Sequence, residues 1–174
     1  TSLPLQNADA RQSTAHQSTA HQSTGQSQGQ VFGKKELGTL GEQLVSQWLV
    51  SKNCQILHRQ WHSRFGEIDL IARGYSGQGK LRCEMLAFIE VKTRSQGNWD
   101  ADGLLSVTRT KQHKLRTTAR YFLVRHPHLC ELPCRFDIAL VSCQSGAIPA
   151  QQLALPVPNS TQYLSLQTYI RDAF

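Results

Sequence analysis

Long apolar runs are missing from this chain. Nowhere does it offer the roughly 18–20 consecutive apolar residues that span a bilayer, and its first residues carry no apolar core of a secretory signal. Paired cysteines are missing too: Cys54, Cys83, Cys130, Cys134 and Cys143 are odd in number, irregularly spaced and never Cys-x-x-Cys. A soluble, reduced, cytoplasmic protein with free thiols is therefore expected, with no membrane partner. No Ser-His-Asp elbow, Gly-rich phosphate loop or dinucleotide fingerprint occurs, so those chemistries have no carrier here. Acidic residues are in short supply, with 12 Asp plus Glu against 19 Lys plus Arg for a net charge of +7. That sign favours a polyanion, either nucleic acid or an anionic membrane surface.

The first 30 residues lack large apolar side chains. Only Leu3 and Leu5 stand among seven Gln, five Ser and four Thr. Burial cannot offset the entropy of ordering such a segment, so 1–30 is expected to be a disordered tail. Residues 12–25 read QSTAH-QSTAH-QSTG, a repeat too short for any packed architecture. His16 and His21 recur with it and are a minor alternative as a weak metal site. Arg11 and Asp9 are the only charges of the tail, so the basic excess belongs to residues 31–174, a length suited to one domain.

Within that body, Leu37, Leu40, Leu44, Val45, Trp48 and Leu49 recur at helical steps and predict a helix over 34–53. Glu42 falls at the edge of its apolar stripe, where a carboxylate reaches past the helix shoulder toward a sheet. Gly38 and Gly41 lower helix propensity and suggest close packing on that side. Strands are predicted over 55–61, 67–73 and 85–92, with a long polar Gly-rich hairpin loop between the last two. A basic amphipathic helix over 107–125 follows, with Leu115, Ala119 and Phe122 on one stripe, then a strand over 135–143. Residues 144–162 read as loop, and a short helix around 167–174 closes the chain. The order α-β-β-β-α-β-α implies an α/β fold with a mixed sheet flanked by helices.

Parity along strands places the chemistry. Asp69 is expected to point away from Ile68 and Leu70, while Glu90 and Lys92 share one face and Ile89 and Val91 the other. A carboxylate inside an apolar strand needs neutralising. One reading leaves Asp69, Glu90 and Lys92 solvated at a strand end. The other is a divalent-metal site: Asp69 and Glu90 offer the hard oxygens that suit Mg²⁺ or Mn²⁺. There Lys92 would orient the attacking water and Glu42 would add a further carboxylate. The eight Lys and Arg between Lys92 and Arg125, including Arg94, Lys111 and Lys114, face only Asp100 and Asp102. They read as a track for a phosphate backbone. A rival zinc constellation, His126, His128, Cys130 and Cys134 with Cys143 beyond, lacks a standard spacing.

The segments GTLGEQLVSQWLVSKNCQIL, RFGEIDLIAR, FIEVKTRS, RFDIALV and YIRDAF together resemble the YraN family of small bacterial proteins over about Gly38 to Phe174. That family is assigned to the restriction-endonuclease-like superfamily and is similar to archaeal Holliday-junction resolvases. The resemblance implies a restriction-endonuclease-like sheet and a Mg²⁺- or Mn²⁺-dependent endonuclease core acting on DNA, including branched DNA. The superfamily's pattern falls on Asp69, Glu90 and Lys92, with the helical carboxylate on Glu42. Glu67 belongs to the signature, and Arg64, Thr93 and Arg94 would flank the scissile phosphate. A homodimer is implied as well, because cutting two symmetric strands needs two sites. The alternative from another class is a nucleic-acid-binding protein that keeps the fold without turnover.

Overall fold

A computed structural model describes residues 32–76, 83–95, 107–148 and 150–174. The N-terminal repeat tail, the middle of the Gly-rich loop and the acidic pair Asp100 and Asp102 lie outside the described residues. The first helix, α1 (Lys34–Ser51), starts where the Glu36 carboxylate accepts the Gly33 N–H at 2.8 Å. It stops because Asn53 takes the left-handed conformation, φ 61°. There the N–H groups of Asn53 and Cys54 close back on Val50 O and Leu49 O, satisfying carbonyls that have no helical partner.

Three antiparallel strands follow, β1 (Gln55–Ser63), β2 (Gly66–Ser76) and β3 (Cys83–Ser95). Both β2 and β3 run on into the expected loop, where Arg73 grips Glu84 across the ladder at 2.6 and 2.8 Å. The second helix, α2 (Arg109–Arg125), is capped by Thr108 Oγ1 accepting the Lys111 N–H. It carries the chain over to β4 (Cys134–Ser145), which lies parallel to β3. A three-residue strand, β5 (Ala154–Pro156), interrupts the predicted 144–162 loop. The chain closes with β6 (Gln162–Ile170) rather than the predicted helix. The stretch QYLSLQTYI is rich in aromatic, β-branched and Leu residues, and pairing with both β4 and β5 uses that composition better than a helix would. The outcome is an α/β fold with one mixed six-stranded sheet in the order β1-β2-β3-β4-β6-β5.

The helices cover opposite faces. Leu44, Val45 and Leu49 of α1 pack on Leu70, Ala72, Ile89, Ala139 and Val141. Leu115, Ala119 and Phe122 of α2 pack on Ile68, Ile71, Phe88 and Ile138. A buried carboxylate ties down the chain end: Asp137, 1% exposed, accepts from Arg135 Nε, the Tyr169 hydroxyl and the Asp172 N–H at 2.7–2.9 Å. Burial and the Asp137 charge push the Tyr169 phenol up. Among the described residues no helix is long and apolar enough to cross a membrane.

Gly41 fixes how close α1 sits. A Cβ there would collide with Thr93 Oγ1 of β3, whereas one at Gly38 would meet open space; the expected close packing holds for Gly41 alone. Gly41→Ala should therefore destabilise by about 1–3 kcal/mol in urea titration, despite the better helix propensity of Ala. Adding Thr93→Ala should recover most of that loss. A Gly41→Ala protein as stable as the parent would show that α1 does not need this contact.

Candidate active site

The site lies where β2 and β3 part company. Their ladder ends on the pair Leu70 and Ile89. One residue earlier along β2, Asp69 inserts its carboxylate between the strands, and Oδ2 accepts the Val91 N–H at 2.7 Å. On its other side the β1–β2 ladder pairs Arg59 with Leu70 and Trp61 with Ile68, stepping over Gln60 and Asp69. Strict alternation breaks here. Ile68 joins the core under α2 and Leu70 the core under α1, so the expectation that both lie opposite Asp69 is overturned. The break falls where the β2–β3 ladder ends and the Asp69 side chain, not a backbone carbonyl, accepts the Val91 N–H.

On β3 the alternation holds. Glu90 faces α2 while Ile89 and Val91 face α1. Glu90 is 3% exposed, and its Oε1 accepts from Lys92 Nζ at 2.5 Å and Lys111 Nζ at 3.2 Å. Its Oε2 is buried with no protein partner. Glu90 and Lys92 are thus no solvated strand end. The outcome also alters Lys111, expected on an outward basic track: from the first turn of α2 it reaches inward to Glu90.

Glu42 comes from the α1 side as its helix-edge position predicts, and the Gln60 side chain hydrogen-bonds its carboxylate. Burial pushes Glu42 upward and the Glu67 and Glu90 charges add to this, while the Gln60 bond and His62 oppose it. Glu42, Gln60, His62, Glu67, Asp69 and Lys35 line a cleft of about 380 Å³. His62 and Glu67, 3.4 Å apart, also border an adjoining cleft that reaches Lys111 and Lys114 on α2. Arg64 lies exposed in the β1–β2 turn with its guanidinium 4.8 Å from the Phe65 ring, and Arg94 lies at the end of β3. The hydroxyl of Thr93 is buried against Gly41 on the α1 side.

Sequence reasoning missed Gln60. It holds φ at +47°, a costly conformation for a residue with a side chain, and uses it to reach Glu42. Nothing local in QILHRQWHS marks it: Gln60 falls where the β1–β2 register has no pair, between Arg59 with Leu70 and Trp61 with Ile68. The zinc constellation does not assemble. His126 Nδ1 lies 2.9 Å from Phe122 O, and Cys134 Sγ bonds Leu132 O. Cys134 is exposed and Cys143 buried. Among the described residues no three His, Cys, Asp or Glu gather as a ligand group.

The donor set at the site is a pair of carboxylates, Asp69 and Glu90. Zinc cages use four protein ligands, whereas Mg²⁺ is usually held by one or two carboxylates, with water and substrate phosphate completing the shell. Asp69 and Glu90 fit the second kind, and the orphaned Glu90 Oε2 is the atom with an acceptor lone pair to give. Burial raises Asp69 to about 7, reinforced by the charges of Glu90 and Glu42 and opposed by the Val91 bond and Lys111.

A raised folded-state value means that Asp69 stabilises the metal-free fold fully only below about pH 4, the unfolded value. That contribution is lost as pH rises through about 7. Asp69→Asn keeps an acceptor for Val91 without the charge. In chelator-treated samples its stability advantage over the parent should widen by about 2–3 kcal/mol from pH 5 to pH 8. Parallel stability curves would show that Asp69 is not held in this environment.

Comparison with known proteins bears on the whole arrangement. The family model described as "Uncharacterised protein family UPF0102" matches residues 41–141, a stretch containing Glu42, Asp69, Glu90 and Lys92. A UPF0102 protein of Acaryochloris marina is 54% identical over 62% of this chain, and the chain spans 63% of that relative's length. Counterparts in Trichodesmium erythraeum and a Synechocystis strain are 49% and 39% identical over 81% and 80% of this chain, covering 89% and 97% of their own. The chain therefore belongs to the UPF0102 family, which is the YraN family.

Proposed function

We propose that this protein is a Mg²⁺- or Mn²⁺-dependent nuclease that hydrolyses phosphodiester bonds in DNA, in particular branched or otherwise structured DNA. Glu90 carries the proposal. A buried carboxylate oxygen without a partner costs several kcal/mol unless something cationic or protic satisfies it, and it stands beside a second carboxylate whose charge it already disfavours. Asp69 and Glu90 would hold the ion, which when bound polarises a phosphoryl oxygen.

The remaining work falls to the chain. Lys92, fixed by Glu90 Oε1, presents an ammonium group that donates a hydrogen bond to the attacking water and faces the negative charge that grows on the phosphate. Lys111, on the same oxygen, adds positive charge from the α2 side. Glu42 enters from α1 as a further carboxylate, oriented by Gln60. Lys114, Arg64 and Arg94 surround the site with positive charge, so that a polyanion approaches a group of acids it would otherwise avoid. Cytoplasmic residence and a homodimer with two such sites belong to the same reading.

Purified protein should cleave branched DNA in Mg²⁺ or Mn²⁺ and leave it intact with chelator. Asp69→Ala, Glu90→Gln and Lys92→Ala should each lower kcat by at least about 100-fold. Cleavage unchanged by Asp69→Ala would rule out this site. Salt-sensitive binding without cleavage by the parent would instead identify a nucleic-acid-binding protein of the same fold.

A further inference from the structure

Two aromatic side chains at the β1–β2 turn, whose Ser63 and Gly66 border the second cleft, belong to neither hydrophobic core. Phe65 sits in the two-residue Arg64-Phe65 turn, and Tyr121 is on α2; both are half-buried and meet edge to face with centroids 5.5 Å apart. Tyr121 in turn leans on Trp61, 6.0 Å away, whose ring is anchored against Phe122 of the core at 5.3 Å. The pair is thus backed by the core but is not part of it.

The turn that presents Phe65 is rigid. Ser63 Oγ accepts the Phe65 N–H at 3.1 Å and donates to Gly66 O at 3.2 Å. Gly66 takes φ +143°, and a Cβ there would press on Thr118 Oγ1 of α2 at 3.3 Å. The turn is seated tightly on the helix one turn before Tyr121. An aromatic ring held out of the core by a fixed turn, with a guanidinium over it, has the composition of a base-stacking surface.

Its position gives it an occupant. The adjoining cleft is lined by Ser63, Gly66, Lys111 and Lys114, and Lys111 holds Glu90. From Gly66, beside Phe65, to Asp69 is three strand residues, roughly 10 Å, a span that a few nucleotides of one strand cover. The positive charge of Arg64, Lys114 and Lys111 complements a backbone laid along this path.

We propose that Phe65 and Tyr121 stack an unpaired base of the strand whose phosphate lies at Asp69 and Glu90, so that the protein selects nucleic acid with splayed or single-stranded nucleotides beside the cleaved bond. The proposal rests on reading Asp69 and Glu90 as the place where a backbone phosphate sits. In a duplex each base is shielded by its stacking neighbours, and only an unpaired one offers a free face to Phe65. The platform sets which DNA is held; Asp69, Glu90 and Lys92 act on it.

Fluorescence anisotropy in chelator, where no cleavage occurs, tests this with a short duplex and the same duplex ending in a splayed fork. Phe65→Ala and Tyr121→Ala should weaken fork binding roughly 5- to 100-fold and duplex binding no more than about twofold, while Phe65→Trp binds like the parent. The salt slope of fork binding should stay unchanged in Phe65→Ala and fall by about one unit in Lys114→Ala. Thermal melts matching the parent would confirm that the variants fold. Equal loss for fork and duplex, or no loss for either, would overturn the platform, as would cross-linking of Phe65 to a second copy of the chain. Because the assay reads binding alone, its failure is separate from that of the nuclease: Phe65-dependent fork selection without cleavage in Mn²⁺ would leave the platform standing and remove the hydrolysis.

Discussion

A carboxylate that is nearly sealed from water organises this molecule. Glu90 is 3% exposed, two ammonium groups grip one of its oxygens, and the other has no protein partner. A carboxylate in that position is tolerated only with compensation from several directions, and the surrounding fold supplies part of it. Lys92 arrives from the same strand and Lys111 from the helix packed above it. The second oxygen stays unsatisfied within the protein, and the proposed metal site rests on it.

The backbone makes room for this arrangement by interrupting its own regularity. Between β2 and β3 a side-chain oxygen of Asp69 accepts the Val91 N–H where the ladder ends, and on β1 Gln60 stands in a left-handed conformation. With the ladder interrupted, Asp69 lies between the strands, where it senses Glu42 from one helix and Glu90 and Lys111 from the other side. A flat, fully paired sheet would keep those groups on separate faces. Local irregularity of this sort costs stability, and strain of this kind concentrates at functional sites. The rest of the sheet restores what is lost: two cores seal its faces, and the Asp137 network pins its final strand.

Much of this was legible in the sequence. Periodicity gave both helices to within about two residues, and parity gave the faces of β3 because Phe88 to Lys92 form a regular strand. The acid–acid–lysine set and the helical carboxylate were visible as expensive residues in apolar surroundings. What escaped depends on contacts distant in the chain. The break in alternation at Asp69 accompanies a bond to Val91, twenty-two residues on. Lys111 looked like a surface charge because its partner belongs to a different strand. The C-terminal segment is a strand rather than the expected helix: its Tyr, Thr and Ile residues suit a strand, and pairing with β4 and β5 settles the outcome. Gly38 and Gly41 look alike in sequence, yet only Gly41 lies under Thr93.

The central claim is that Asp69 and Glu90 together form the seat of a hard divalent cation. Anomalous scattering from crystals grown with Mn²⁺ addresses it most directly. The account predicts a strong manganese peak about 2–2.5 Å from Glu90 Oε2 and from an Asp69 carboxylate oxygen. An empty position there, with manganese bound elsewhere or the two carboxylates turned apart, would contradict it.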